Sequence, residues 1–274
     1  MTGLPILSLA ILLPLLGAIL LLFINNRDGS KDALIRNITL GVSLITFAVT
    51  LALWAGFHPS GESFQFVERH PWIPAFGIEY YLGIDGLSLM LIVLTGFLTP
   101  IALLTSWESI ETKVKEFSIF MLVLETAMIG VFCALDLFLF YLFWDILLIP
   151  MYFLIGIWGY DQRVYAAAKF ILYTLAGSVL MLVAIIGLSW MHQAATGQYS
   201  FDLMKLYALE IPFSTQGLWK GIDVLVVDGA VNGAGYVVGA FSAGLRLLQT
   251  GSVKSYAAGT LFGAVAILAY YLWR

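Results

Sequence analysis

Long apolar runs separated by short polar breaks fill the first 190 residues. Most runs are about 20 residues or longer, the length that an α-helix needs to cross a hydrocarbon core roughly 30 Å thick. The pattern predicts six transmembrane helices, at residues 4–24, 34–57, 83–107, 117–135, 137–158 and 166–190. The first run has no basic segment before it and ends in Asn25-Asn26-Arg27, so we expect a retained span and not a signal peptide.

The pattern changes after residue 190. Residues 191–220 are more polar and contain a short amphipathic segment, which predicts an extramembrane loop with a helix at the membrane interface. Small or polar side chains recur at every third or fourth position across 222–248, and 256–273 is again apolar with an aromatic end. We expect an all-α polytopic bundle of seven or eight spans, organised as 1–190, 191–220 and 221–274.

Composition excludes a soluble domain. Hydrophobic residues make up 61% of the chain and charged residues 11%, against about 45–50% and about 25% in soluble proteins. No run of lysine or arginine is long enough to bind nucleic acid. The single cysteine, Cys133, and three histidines between the apolar runs offer neither a disulfide nor a bis-histidine haem site. We expect no redox centre in this chain.

Lysine and arginine residues of the short loops fall mainly on one side of the predicted bundle. One side receives Arg27, Lys31, Arg36, Lys113, Lys115 and Arg163, and the other receives Arg69, Lys205 and Lys220. Basic loops stay on the cytoplasmic side of a membrane. The N-terminus is therefore expected on the non-cytoplasmic side.

Three charged residues lie inside predicted spans, where charges are costly and commonly serve ion or proton pathways: Glu125, Asp145 and Lys169. Lys169 lies about one turn into the sixth span, near the end of the fifth, so it could face Asp145 and control its protonation. The alternatives are structural: Lys169 extends to the interface, Asp145 holds a kink near Pro150, and Glu125 packs beside a small residue. Asp85 and Asp136 are expected to cap helices.

The segments FMLVLETAMIGVFCALDLFLFYLFWDILLIPMYFLIGIWG and RVYAAAKFILYTLAGSVLML closely resemble the antiporter-like subunit M family of bacterial NADH:quinone oxidoreductase, known as complex I. The resemblance covers about residues 1–216. It implies that Glu125 and Asp145 occupy the family's two key membrane acids and that Lys169 occupies a basic position on the next helix. The family usually has glutamate, in an FWE motif, where this chain has Asp145.

The resemblance also implies a setting and a function. The chain would contribute to proton translocation coupled to quinone reduction, in the bacterial inner membrane, beside other membrane-arm subunits and lipid. NADH, FMN, iron–sulfur clusters and quinone would be bound by partner subunits. Residues 218–274 resemble the C-terminus of subunit L of the same complex, which implies a junction near 216–220. Because the family's lateral helix lies on the cytoplasmic face and six spans end outside, we expect 222–248 to cross the membrane.

Two alternative functions are kept open. The later helices of the family's antiporter fold do not follow residue 216 in this sequence, which favours a structural or assembly role without transport. A cation/proton antiporter subunit is the third possibility, because antiporter complexes share this family's fold.

Overall fold

The computed structural model describes residues 5–26, 29–58 and 63–209. The predicted helix at 222–248, the predicted anchor at 256–273 and the predicted junction near 216–220 lie outside the described residues. The described part contains seven helices and one β-hairpin: α1 (Ile6–Leu22), α2 (Asp32–Gly56), β1 (Gln65–Ile73), β2 (Ile78–Ile84), α3 (Gly86–Thr105), α4 (Val114–Cys133), α5 (Leu137–Trp158), α6 (Arg163–Thr196) and α7 (Leu203–Tyr207).

Five helices, α2 to α6, are long and apolar enough to cross a membrane. Helix α1 has 17 residues, which gives it a length of about 25 Å, at the lower limit for a membrane span. All six predicted spans before residue 190 are therefore helical, and the chain is a multi-pass membrane protein.

The helix boundaries show where local chemistry ends each predicted run. Helix α5 has the predicted bounds, because Asp136 caps its first turn. Helix α3 begins at Gly86, after the cap residue Asp85, and not at residue 83 as predicted. Helix α6 continues to Thr196, so residues 191–196 of the predicted loop are helical, and Gly197 ends the helix with φ 81°.

The β-hairpin is the main addition to the expected all-α architecture. Strands β1 and β2 pair antiparallel, and a single 3₁₀ turn joins them through Gly77, which has φ 66°. A two-stranded hairpin alone is marginally stable. This one is held by its packing, because Ile78, Leu82 and Ile84 of β2 are buried.

The helices meet at two chemically different ends. At one, the carboxylate end, the hairpin packs beside the starts of α1, α3 and α5; at the other, the basic end, Arg36, Lys115 and Arg163 lie near the starts of α2, α4 and α6. Separate apolar clusters fill the two ends. The larger includes Leu7, Leu82, Leu89, Ile129 and Leu139, and the smaller includes Ala18, Leu21, Ile35, Val114 and Leu122.

Helices α4 and α5 form a tight helical hairpin, as the single residue between the predicted spans 117–135 and 137–158 requires. The ring of Phe143 lies against Gly130, where an added Cβ would overlap it. The turn between the helices bonds to the β-hairpin, because Leu135 N donates to Tyr81 O at 2.9 Å. This close approach places the acids of α4 and α5 in adjacent helices.

Candidate functional site

Glu125 is the most deeply buried acid of α4. Its exposed fraction is 0%, and neither carboxylate oxygen has a hydrogen-bond partner among the described residues. The hydroxyl of the next residue, Thr126, is also buried without a partner there. Because an unpaired buried carboxylate is strongly disfavoured, Glu125 must carry a proton or bond to ordered water.

Asp145 is half-buried on α5 and has a direct partner on α6. Ser178 Oγ donates to Asp145 Oδ1, and Ser178 is 2% exposed. The phenol of Tyr141, one turn earlier on α5, lies close to both side chains. Asp145 therefore belongs to a small polar group between α5 and α6, in which a hydroxyl donates to the carboxylate.

The structure does not bring Lys169 to Asp145. Lys169 is exposed, and its ammonium lies 5.8 Å from the ring of Tyr165 and 5.9 Å from the ring of Tyr173. Ser178, which contacts Asp145, follows Lys169 by nine residues, or about 2.5 helical turns, on the opposite face of α6. The structure therefore shows no ion pair between Lys169 and Asp145, and a relay role for Lys169 stays a prediction.

Glu125 and Asp145 lie at similar depth. Glu125 precedes Asp136 in the turn by eleven residues, and Asp145 follows it by nine, so the two acids are about 17 and 14 Å along their helices from that turn. Both are near the middle of a hydrocarbon core roughly 30 Å thick. The site therefore consists of two acids on adjacent helices, one without a described partner and one bonded to a hydroxyl.

Ser178 was missed as a functional residue. In the sequence it follows Ala176 and Gly177, and such runs of small residues are typical of close helix packing. The sequence does contain one signal for Ser178, namely its position around the helix axis. Ser178 follows Ala167 by eleven residues, which places both on one face of α6, and both are buried against neighbouring elements.

A second polar group ties the extramembrane segments together at the carboxylate end. Arg69 of β1 forms ion pairs with Glu79 of β2 and with Asp202, the latter at 2.8 Å. Burial acts to lower the pKa of Arg69, but its two acidic partners outweigh burial and raise that pKa. Among the described residues these are the only ion pairs; we call Arg69, Glu79 and Asp202 the Arg69 clasp.

The clasp also reaches the turn before α5. Leu137 N donates to Phe201 O at 2.8 Å, and Leu203 N donates to Leu135 O at 2.9 Å. The loop that carries Asp202 is therefore bonded to the same turn that carries Asp136. This arrangement fixes the turn at Asp136, nine residues before Asp145.

Two family models match adjacent parts of the chain. Residues 9–134 match the amino terminus of NADH-ubiquinone oxidoreductase chain 4. Residues 134–231 match the transmembrane model of NADH:quinone oxidoreductase and Mrp antiporters. The second match extends past the junction expected near 216–220, and no comparison shows the expected resemblance of the C-terminal segment to subunit L.

Curated relatives give the same result. The chain is 49% identical to subunit M of NADH-quinone oxidoreductase from Rhodobacter capsulatus over 208 residues, which are 76% of this chain and 39% of that protein. It is 51% identical to NADH-ubiquinone oxidoreductase chain 4 from Arabidopsis thaliana over 181 residues, which are 66% of this chain and 36% of that protein. The chain thus spans less than half the length of these relatives.

Solved structures share the fold. A chain of respiratory complex I from Thermus thermophilus, solved with bound NADH, aligns with a TM-score of 0.62 and 26% identity, covering 75% of this chain and 40% of that one. A chain of the Mrp complex from a Dietzia species aligns with a TM-score of 0.55 and 17% identity, covering 71% of this chain and 20% of that one. The described bundle therefore has the fold of part of these membrane subunits.

Proposed function

Because this chain is homologous to subunit M of NADH-quinone oxidoreductase, we propose that it is a membrane-arm subunit of that enzyme and contributes to proton translocation coupled to quinone reduction. The observation that carries the proposal is the pair of mid-depth acids, Glu125 and Asp145, on the tightly packed helices α4 and α5. Ionisable groups at such depth are expensive and commonly mark ion or proton pathways.

In this proposal the two acids act differently. Ser178 and Tyr141 surround the Asp145 carboxylate with hydroxyl groups, which can donate to the ionised form and pass a proton to it. Glu125, buried without a described partner, holds or releases a proton when water reaches it. The electron carriers, namely NADH, FMN, iron–sulfur clusters and quinone, are held by partner subunits.

The proposed location is supported by the same homology and by the two ends of the bundle. We place the chain in the bacterial inner membrane, in contact with other membrane-arm subunits and lipid. The basic end, with Arg36, Lys115 and Arg163, faces the cytoplasm, and the N-terminus lies on the opposite side. Labelling of cysteines introduced at either end would test this orientation, because Cys133 is the single cysteine of the sequence.

A structural or assembly role is the second candidate. It is favoured by one observation, the direct hydrogen bond from Ser178 Oγ to Asp145 Oδ1, which can hold α5 against α6 without any proton moving. In that case the bundle would occupy a place in the complex and the acids would not transport protons. A cation/proton antiporter subunit would instead show transport that depends on Na⁺.

The test uses the tagged chain in its native membrane. Co-purification with other membrane-arm subunits, identified by mass spectrometry, establishes the assembly. Proton uptake per electron is then measured in vesicles for Asp145→Asn, Glu125→Gln and Ser178→Ala. Ser189→Ala is the matched control, because Ser189 is buried on the same helix as Ser178 and has no described hydrogen-bond partner.

We expect the two acid variants to lose the proton transport that passes through this chain, and Ser178→Ala to lose part of it, while Ser189→Ala keeps it. Unchanged proton uptake in both acid variants of an assembled complex would support the structural role. Isolation of the chain without any membrane-arm subunit would contradict the proposed assembly.

A further inference from the structure

Buried hydroxyl groups line part of the interior near mid-depth, beside the apolar clusters of the bundle. Five buried hydroxyl residues lie on inner faces of α2 and α3, and we call them the hydroxyl layer: Ser43, Thr46, Thr50, Thr95 and Thr99. All five are at most 7% exposed.

The helical phases place Glu125 at the level of this layer. Gly17 of α1 packs against both Val42 of α2 and Leu122 of α4, so those two residues share one level. Helices α2 and α4 both begin at the basic end. Thr46 follows Val42 by four residues on α2, and Glu125 follows Leu122 by three residues on α4. Both are therefore about one turn further from the basic end.

Each hydroxyl of the layer already has a partner for its proton. The Oγ atoms donate to carbonyls of their own helices, for example Thr46 to Val42 O at 3.0 Å and Thr99 to Thr95 O at 3.0 Å. A hydroxyl that donates in this way still has lone pairs that accept a hydrogen bond from water. The layer therefore offers hydrogen-bond acceptors to water at the level of the unpartnered oxygens of Glu125.

A small cavity lies between this layer and the basic end. Its volume is about 20 Å³, and its lining includes Arg36, Thr39, Ser106 and Ser118. That is room for about one water molecule with several polar partners. Ser118 precedes Glu125 by seven residues, which places both on one face of α4, and Thr39 precedes Thr46 by seven on α2.

We propose that water in the hydroxyl layer connects Glu125 to this cavity, so that Glu125 exchanges protons with the basic end by a route separate from Asp145. A proton would pass between water molecules and the Glu125 carboxyl group, each water accepting one proton and releasing one. The route deepens the proposed function, since it gives one of the two acids its own access. The hydroxyl layer supplies acceptors that keep the water in place.

The experiment follows Glu125 at rest, without NADH or quinone, in the purified assembly. The infrared band of Glu125 is assigned by its absence in Glu125→Gln, and its response to a rapid change from H₂O to D₂O gives the exchange rate. The double variant Thr46→Val/Thr99→Val removes two hydroxyls while keeping the side-chain shape. Thr46→Ser keeps the hydroxyl, and Thr105→Val is the control, because Thr105 is an exposed α3 residue that donates to Ile101 O in the same manner.

We expect exchange at Glu125 to slow by about tenfold in the double variant, as for the loss of one hydrogen bond of ordinary strength. Thr46→Ser, Thr105→Val and Asp145→Asn should exchange at the parent rate. If the double variant does not fold, Ser118→Ala at the cavity replaces it with the same expected slowing. An unchanged rate, or equal slowing in Asp145→Asn, would overturn the separate route. Because the exchange is measured without turnover, its result is independent of whether the complex pumps.

Discussion

The two ends of the bundle stabilise helix termini with opposite charges. At the carboxylate end, an acid accepts hydrogen bonds from the first amides of every described helix that begins there. Asp85 Oδ1 accepts from Ser88 N at 2.7 Å, and Glu68 Oε1 accepts from Leu7 N at 2.8 Å. Asp136 and Asp202 do the same for α5 and α7. Each negative charge therefore lies at the positive end of a helix dipole.

The basic end shows the converse arrangement. Lys115 Nζ donates to Ile24 O at 2.7 Å, just after the end of α1. Arg36 Nη2 donates to Ile110 O at 2.6 Å, beyond the end of α3, and Arg163 Nη1 donates to Ile157 O at 2.7 Å, in the last turn of α5. Helices α2, α4 and α6, which begin at this end, have no side-chain cap.

The separation of acidic and basic side chains between the two ends has two effects. Cations at helix C-termini and carboxylates at helix N-termini both lower the energy of the helix dipoles. The same segregation concentrates lysine and arginine on one side, the pattern that orients a chain in the membrane. Glu68 is instructive, because it caps α1 from the hairpin where Pro5 provides no capping side chain.

The largest effect is expected at the carboxylate end, from Asp136→Ala. Asp136 Oδ1 accepts from Phe138 N and Leu139 N, and Oδ2 accepts from Glu79 N at 3.1 Å. Loss of the cap and of the bond to the hairpin should lower the free energy of unfolding by about 2–3 kcal/mol. The thermal midpoint of the purified protein measures this. Asp136→Asn, which can still cap, should be milder, and equal midpoints for parent and Asp136→Ala would contradict the cap.

The sequence predicted the helices better than the contacts between them. Apolar length gave the spans, and Asp85 and Asp136 gave two helix starts, because capping depends only on local chemistry. The hairpin was missed because its stability comes from packing onto helices distant in sequence, α1, α4 and α5 among them, and not from a local pattern. The predicted pairing of Lys169 with Asp145 relied on their proximity to the same end, whereas the contact depends on the phase of α6, which favours Ser178.

A smaller effect is expected when the Arg69 clasp is broken by Arg69→Gln. Asp202 is 4% exposed and would lose its cationic partner, whereas the Arg69 side chain is 38% exposed and partly screened by solvent. The free energy of unfolding should fall by about 1–2 kcal/mol. Thermal unfolding measures the change, and Asp202→Asn in the same background should add little, because both substitutions remove one interaction.

The corresponding substitution at the basic end, Lys115→Met, should cost less. Lys115 contributes an ammonium to the carbonyls of Leu22 and Ile24, an interaction with a helix C-terminus worth about 0.3–1 kcal/mol. Methionine keeps most of the side-chain length, so the loss reports the charge. Thermal midpoints at low and high salt test whether the loss of stability is electrostatic, since salt should then reduce it. A loss of stability as large as that of Asp136→Ala would contradict the difference expected between the two ends.

The smallest effect is a pH dependence that belongs to one end only. Burial raises the pKa of Asp136, and hydrogen bonds from backbone amides offset this only in part. The folded protein then binds more protons than the unfolded chain, so this residue's contribution to stability falls as pH rises from the ordinary aspartate value of about 3.9 to the raised value. We expect the stability of Asp136→Asn relative to the parent to increase over that interval, measured as the difference between their thermal midpoints. A relative decrease would mean that the hydrogen bonds from backbone amides outweigh burial. Asp136 would then be an ordinary ionised helix cap, like the other acids of the carboxylate end.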